Sequence, residues 1–210
     1  MVCYAEALEI VGREMTVEQV VAEIERDIPF YDESGGGVTF SGGEPLLQRD
    51  FLLALLRVCK EKAIHTVLDT CGFAPWEELD AVQEYVDLFL YDLKVMDDAR
   101  HWQFTGVSNR LILENLQMLA WVGCSIIVRV PLIPGVNDDD ENVRQMGAFL
   151  AALPGLEQID LLPYHHLGRE KYERLHKLYG LPDARPPSDE RVAEVARLLG
   201  TFGLQVGVGG

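Results

Sequence analysis

Segments that read as strands alternate with segments that read as helices almost to the end of the chain, and this alternation constrains the fold more than any other feature. Thr16 followed by Gln19 reads as a capping box opening a helix, and Val17, Val20, Val21 and Ile24 then form one apolar stripe. Gly35–Gly37 ends that pattern, and Val38-Thr39-Phe40 is a short strand. A helix is predicted from about Arg49, burying Leu52, Leu55, Leu56 and Cys59. Strands at Ile64–Asp69, Leu88–Tyr91, Ser125–Val130 and Ile159–Leu162 then alternate with further helices. These are marked by Leu79, Val82 and Val86, by Ile112, Leu116 and Leu119, and by Val143, Met146, Gly147 and Leu150. Val192, Val195, Ala196 and Leu199 mark a last helix, and Leu204–Val208 reads as a short final strand. No hairpin signal interrupts this order. Parallel strands require crossover helices, so the chain is an α/β protein. Periodicity alone does not separate an open doubly wound sheet from a barrel, but both place ligands at the carboxyl ends of their strands.

Composition narrows the partners. With 18 basic and 34 acidic residues, the net charge is −16, which repels phosphate and argues against nucleic acid as a partner. No apolar run approaches the ~20 residues that span a bilayer, so no membrane partner is expected. No basic-then-apolar leader opens the chain. The four cysteines, Cys3, Cys59, Cys71 and Cys124, form no CxxC pair, so neither a disulfide framework nor a self-contained zinc site is supported. A cytoplasmic location is expected. Cys59 and Cys124 read as core, and Cys71 falls near the strand ends.

Those strand ends carry the polar residues. Ser41-Gly42-Gly43-Glu44-Pro45 follows the first strand, Asp69-Thr70-Cys71-Gly72 the second, and Asp92-Leu93-Lys94 the third. Arg129 lies near the end of the fourth, and Pro163-Tyr164-His165-His166 follows the fifth. Singly, each has a plain structural explanation: two glycines make a tight turn, an Asp caps a helix, and a lone His is a satisfied structural residue. Together, Glu44, Asp69, Asp92, Lys94 and His165 would converge on one mouth. A carboxylate beside a Gly-Gly turn suits an ammonium group better than a phosphate, and the spacing matches neither GxGxxG nor GxxxxGK[ST]. Such a mouth could hold a zwitterion with a sugar attached. Lys94 would take a carboxylate and Glu44 an ammonium, while Asp92 and His165 would take hydroxyls or ring atoms.

Four segments, Gly35–Pro45, Leu68–Phe73, Tyr91–Lys94 and Leu161–His165, occur in order and together resemble the glycyl-radical enzyme activating enzymes, a family of the radical S-adenosylmethionine superfamily. The resemblance runs from about residue 5 to the C-terminus. It implies a partial (β/α)6 TIM-like barrel. It also implies that Gly42, Gly43 and Glu44 bind the methionine ammonium, that Asp92 and Lys94 contact methionine and ribose, and that His165 contacts the nucleoside. Asp69 and Thr70 with Asp92 would form a monovalent-cation site, and Arg129 would face the substrate loop. The implied activity is reductive cleavage of S-adenosylmethionine to a 5′-deoxyadenosyl radical, which takes hydrogen from a glycine of a partner glycyl-radical enzyme. A flavodoxin or ferredoxin would supply the electron to the intact protein.

The departure from the family lies in the cluster. The CxxxCxxC loop whose thiolates hold a [4Fe–4S] cluster does not occur in this sequence, so no catalytic cluster cysteine can be assigned. The chain reads as a C-terminal portion lacking the first strand and the cluster loop. Residues 1–12 would be the remnant of a ferredoxin-like insert, with Cys3 as a surviving cluster ligand, and 13–210 the barrel domain. On this reading the chain by itself is inactive. The alternative is a non-catalytic barrel fragment that binds S-adenosylmethionine or docks a partner.

Overall fold

A computed structural model of the chain describes residues 12–165, 180 and 181, and 184–209. Cys3, His166 and His176, and the proposed 1–12 remnant except Gly12, lie outside the described residues. The capping box forms as read: Thr16 Oγ1 accepts from the Gln19 amide at 3.3 Å, and Gln19 Oε1 accepts from the Thr16 amide at 2.9 Å. It opens α1 (Val17–Arg26), which is followed by α2 (Ile28–Ser34), a short helix with proline in its first turn. No apolar periodicity announces α2; proline pre-set for a first helical turn is its local cause.

From there strands and helices alternate. β1 (Gly37–Phe40) leads through a 3₁₀ turn at Pro45–Gln48 into α3 (Arg49–Glu61), then come β2 (His65–Thr70), α4 (Trp76–Gln83) and β3 (Leu88–Asp92). Two helices, α5 (Asp98–Thr105) and α6 (Arg110–Trp121), precede β4 (Ile126–Leu132). α7 (Asp140–Ala151), β5 (Gln158–Pro163), α8 (Asp189–Gly200) and β6 (Gln205–Val208) complete the described elements. All six strands are parallel and lie side by side in chain order. A doubly wound sheet reverses its strand order at a switch point. Sequential order means that every crossover advances the same way, so the sheet is that of a partial barrel, with four-residue edge strands β1 and β6.

Alternation along the strands divides the residues between two faces. Leu68, Phe89, Tyr91, Val128, Val130, Ile159 and Leu161 are buried against Leu52 and Leu56 of α3, Leu79 of α4, Leu116 and Leu119 of α6, and Met146 of α7. Full burial of each such side chain is worth roughly 1.5–3 kcal/mol. The opposite face is only half-buried and is built in two tiers. Val67, Leu90 and Ile127 form an apolar lower tier; two residues further along the same strands come Asp69, which pairs with Leu90, and Asp92 and Arg129, which pair with each other, and these three form the charged upper tier. A strand repeats its facing every second residue, so the charged tier is held over an apolar floor at the carboxyl ends of β2–β4.

Asp87 ties down the opposite end of the sheet. Its carboxylate takes Lys60 Nζ at 2.5 Å and accepts from the Thr66 amide and hydroxyl at 2.9 and 3.1 Å. Burial pushes this carboxyl up, but the Thr66 and Lys60 hydrogen bonds and the Lys60 charge outweigh burial, so it lies below its ordinary value. A lowered folded-state value stabilises above the unfolded value of about 3.9 and is lost as pH falls through the folded one. We therefore expect the urea midpoint to fall between pH 6 and pH 3 by less in Asp87→Asn than in the parent chain. Equal falls would show that Asp87 contributes nothing to acid lability.

Candidate functional site

The residues after β1 and β2 build one half of the site. Glu44 caps the 3₁₀ turn, its Oε1 accepting from the Leu46 amide at 3.3 Å. The same oxygen accepts from the Thr70 hydroxyl at 2.7 Å, and Oε2 accepts from the Cys71 amide at 3.0 Å and the Cys71 thiol at 3.1 Å. Burial pushes the Cys71 thiol above its ordinary value and its bond to Glu44 adds to this, so at neutral pH it is a donor and not a thiolate. The β2 loop itself is set from beneath. Thr70 Oγ1 accepts from the Gly72 amide at 2.9 Å, and Asn115 of α6, 1% exposed, donates to the Gly72 and Ala74 carbonyls at 2.8 and 2.7 Å. At Gly42 and Gly43 an added Cβ would meet nothing within 4 Å, so the backbone there faces open space.

The upper tier of the sheet forms the other half. Arg129 Nη2 donates to Asp69 Oδ1 and, at 3.0 Å, to Asp92 Oδ1. Ser41 Oγ donates to Asp69 Oδ2 at 2.8 Å, and Lys94 Nζ lies 3.5 Å from Asp92 Oδ2. Ser41, Asp69, Arg129, Asp92 and Lys94 are thus one continuous chain of polar contacts across β1–β4. Glu44 adjoins it through Thr70, the residue after Asp69. The guanidinium occupies the position between Asp69 and Asp92 that the resemblance assigns to a monovalent cation. His165, after β5, is exposed and makes no hydrogen bond to this group among the described residues.

Several members of the site carry no sequence signal. Ser41 stands in a recognised segment, but its pairing with Asp69 depends on the β1–β2 register. Asp160 of β5 pairs in register with Arg129, shares the half-buried face, and accepts from Gln158 Nε2 at 3.2 Å. A single Asp in an apolar strand gives no sign of which face it takes until its neighbours are known. Asn115 and Asn137 read as ordinary helix and turn residues, although both are buried and bonded to strand-end loops. His101, in α5, is a satisfied structural histidine: it is buried and Nδ1 lies 2.8 Å from the Val107 carbonyl.

The described residues differ in how they suit the two groups the family uses. An open glycine backbone, a carboxylate aimed by three residues, a half-exposed ammonium and the buried, unpartnered Nε of Arg129 fit a zwitterionic nucleoside. They do not fit an iron–sulfur cluster. No group of three or more His, Cys, Asp or Glu suited to a metal ion occurs among the described residues. Cys71 lies at the carboxyl end of β2, whereas Cys59 and Cys124 precede β2 and β4 at the other end of the sheet.

A family model described as the radical SAM superfamily matches residues 2–146. The chain is 46% identical over 207 residues to the trans-4-hydroxy-L-proline dehydratase activating enzyme of Clostridioides difficile, covering 97% of this chain and 68% of that protein. It is 40% identical over 205 residues to the choline trimethylamine-lyase activating enzyme of Oleidesulfovibrio alaskensis, covering 96% and 66% respectively. Against the pyruvate formate-lyase 1-activating enzyme of Escherichia coli K12 the identity is 39% over 197 residues, covering 93% and 80%. The crystal structure of a domain of a pyruvate-formate lyase-activating enzyme from Bacteroides vulgatus ATCC 8482 matches with a TM-score of 0.72 at 38% identity, covering 83% of this chain and 99% of that one. The chain therefore spans about two thirds of the length of the first two relatives. No helix among the described residues is long and apolar enough to cross a membrane.

Proposed function

The chain belongs to the radical S-adenosylmethionine superfamily and, within it, to the glycyl-radical enzyme activating enzymes, and from that premise we propose that its strand-end site binds S-adenosylmethionine for the activation of a glycyl-radical enzyme. Members of the superfamily use S-adenosylmethionine and a [4Fe–4S] cluster. When bound and reduced, S-adenosylmethionine supplies the hydrogen-abstracting chemistry that activation needs.

This chain's residues bind and orient. Glu44 takes the ammonium, which exchanges for the Cys71 thiol, the weakest of the carboxylate's donors. The Gly42–Gly43 backbone lets the ligand approach closely, and Lys94 pairs with the ligand carboxylate. Asp92 accepts from a ribose hydroxyl, and His165 closes over the nucleoside from β5. Arg129 faces the partner's glycine loop, and Asp69, Thr70 and Asp92 are a monovalent-cation site when the guanidinium turns away. For the whole protein, the partner is a glycyl-radical enzyme and the electron donor a flavodoxin or ferredoxin, in the cytoplasm. The observation that carries this reading is the unbroken chain of contacts from Ser41 to Lys94 beside the Glu44 carboxylate.

Calorimetric titration of the 210-residue chain with S-adenosylmethionine tests it. Binding is expected, weakened about tenfold by Glu44→Gln and by Lys94→Ala, since a hydrogen bond to a charged group is worth about 1.5–3 kcal/mol. Absence of binding, or affinity untouched by either substitution, rejects the assignment. The same chain, treated anaerobically with iron, sulfide and dithionite, is expected to yield no 5′-deoxyadenosine, because its described residues bring no cluster ligands together. Formation of that product would contradict this.

A further inference from the structure

Lys94 is the only cation of the proposed site whose own side-chain contact is loose. Its side chain is 35% exposed and its ammonium reaches Asp92 only at 3.5 Å, so the backbone of residues 94–96 sets the point from which its long stem starts. Four of the six main-chain polar groups of that segment are bonded by buried asparagines. Asn137 Nδ2 donates to the Lys94 carbonyl at 2.8 Å. Asn109 Nδ2 donates to the Val95 and Met96 carbonyls at 2.9 and 2.7 Å, and Asn142 Oδ1 accepts from the Met96 amide at 2.9 Å.

Asn137 differs from the other two in what it joins. Its second Nδ2 proton goes to the Pro131 carbonyl at 2.8 Å, and its Oδ1 accepts from the Ile133 amide at 2.8 Å. Its own carbonyl accepts from Asn142 Nδ2 at 2.9 Å. It is 2% exposed, and both side-chain donors and its acceptor are used on main-chain groups. It therefore locks the loop after β3, which carries Lys94, to the end of β4, the strand that carries Arg129. An apolar residue of similar size would fill the space but hold neither loop.

We propose that Asn137 is a positioning residue for ligand binding, holding Lys94 at the distance from Arg129 and Asp92 at which its ammonium meets the ligand carboxylate. This rests on the reading of the site as one for S-adenosylmethionine. Asn137 touches no ligand; it acts through Lys94.

A double-mutant cycle separates that role from general support of the fold. Affinity for S-adenosylmethionine is measured calorimetrically in the parent chain, in Asn137→Ala, in Lys94→Ala and in the double variant. We expect Asn137→Ala to weaken binding about tenfold, an effect of ~1.4 kcal/mol. The same substitution should change affinity less than about twofold when Lys94 is already alanine. Asn137→Ser, which keeps a polar group in the cavity, provides a milder variant for the cycle should alanine prevent folding. Leu153→Ala, in the turn after α7 at the far end of the sheet, supplies a destabilised control whose affinity should not change. An Asn137 effect of equal size with and without Lys94 overturns the positioning role while leaving the site intact. Absence of binding in the parent chain overturns the site and this role with it.

Discussion

Gly72→Ala is expected to remove about 4 kcal/mol of stability and to abolish ligand binding with it. Gly72 has φ +65°, in the left-handed region, and the loop it turns presents Cys71 to Glu44. A Cβ there would lie 1.7 Å from the Tyr91 hydroxyl oxygen. The ring has nowhere to go: Tyr91 is 0% exposed and its hydroxyl donates to the Ile112 carbonyl at 2.7 Å. Three costs therefore add, each about 1 kcal/mol or more: left-handed strain, overpacking and a broken buried hydrogen bond. A domain of this size has only about 5–15 kcal/mol in total. Gly106→Ala is the matched comparison, because Gly106 also has a positive φ of 80° but an added Cβ there meets nothing within 4 Å. It should cost only about 1 kcal/mol. Urea unfolding of both variants tests the argument. Equal losses at the two positions would mean that the Tyr91 contact does not carry the effect.

Arg129→Met should produce the second large effect. The substitution keeps most of the side-chain bulk and removes the charge that lies between Asp69 and Asp92. These groups are mostly buried, with side chains 19%, 21% and 26% exposed, so the two carboxylates would be left close together in poor contact with water. Removing one partner of a fully buried pair costs about 3–5 kcal/mol. Partial exposure reduces this to about 2–3 kcal/mol. Because Asp69 and Asp92 would then face one another without a cation, sodium chloride should raise the urea midpoint of Arg129→Met more than tetramethylammonium chloride does. In the parent chain the two salts should act alike. A variant as stable as the parent, or indifferent to the identity of the cation, would show that the guanidinium does not hold the two acids together.

The two substitutions probe different kinds of information. The α1 cap, the helices at Arg49–Glu61 and Asp140–Ala151, and the order of strands and helices were legible because their signals are local. A capping box spans one turn, and an apolar stripe repeats every three or four residues. Helix α2 carries no comparable signal, because seven residues with one proline show too little periodicity. The GGE, DTCG and DLK segments were legible as strand-end sequences, and their order carried the family resemblance. Strand pattern sets Arg129 near its strand end, and only the packing sets it between Asp69 and Asp92. Asp160 and Asn137 carried no signal, because a buried polar residue differs from an exposed one only through the partners that the fold brings to it.

Strand alternation and the residues that end each strand are written in short-range pattern, because backbone sterics and side-chain periodicity act over a few residues. That much the sequence determines by itself: a parallel α/β sheet with its chemistry at one rim. Only the tertiary structure decides that every crossover advances the same way, since periodicity is the same in a barrel and in a doubly wound sheet. It also decides which strand residues share a face. Register pairs Asp92 with Arg129 and Asp69 with Leu90, two residues before Asp92, which keeps Asp69, Asp92 and Arg129 on one face within reach of the long guanidinium side chain, and a slip of one residue would turn the slipped residues toward the helices.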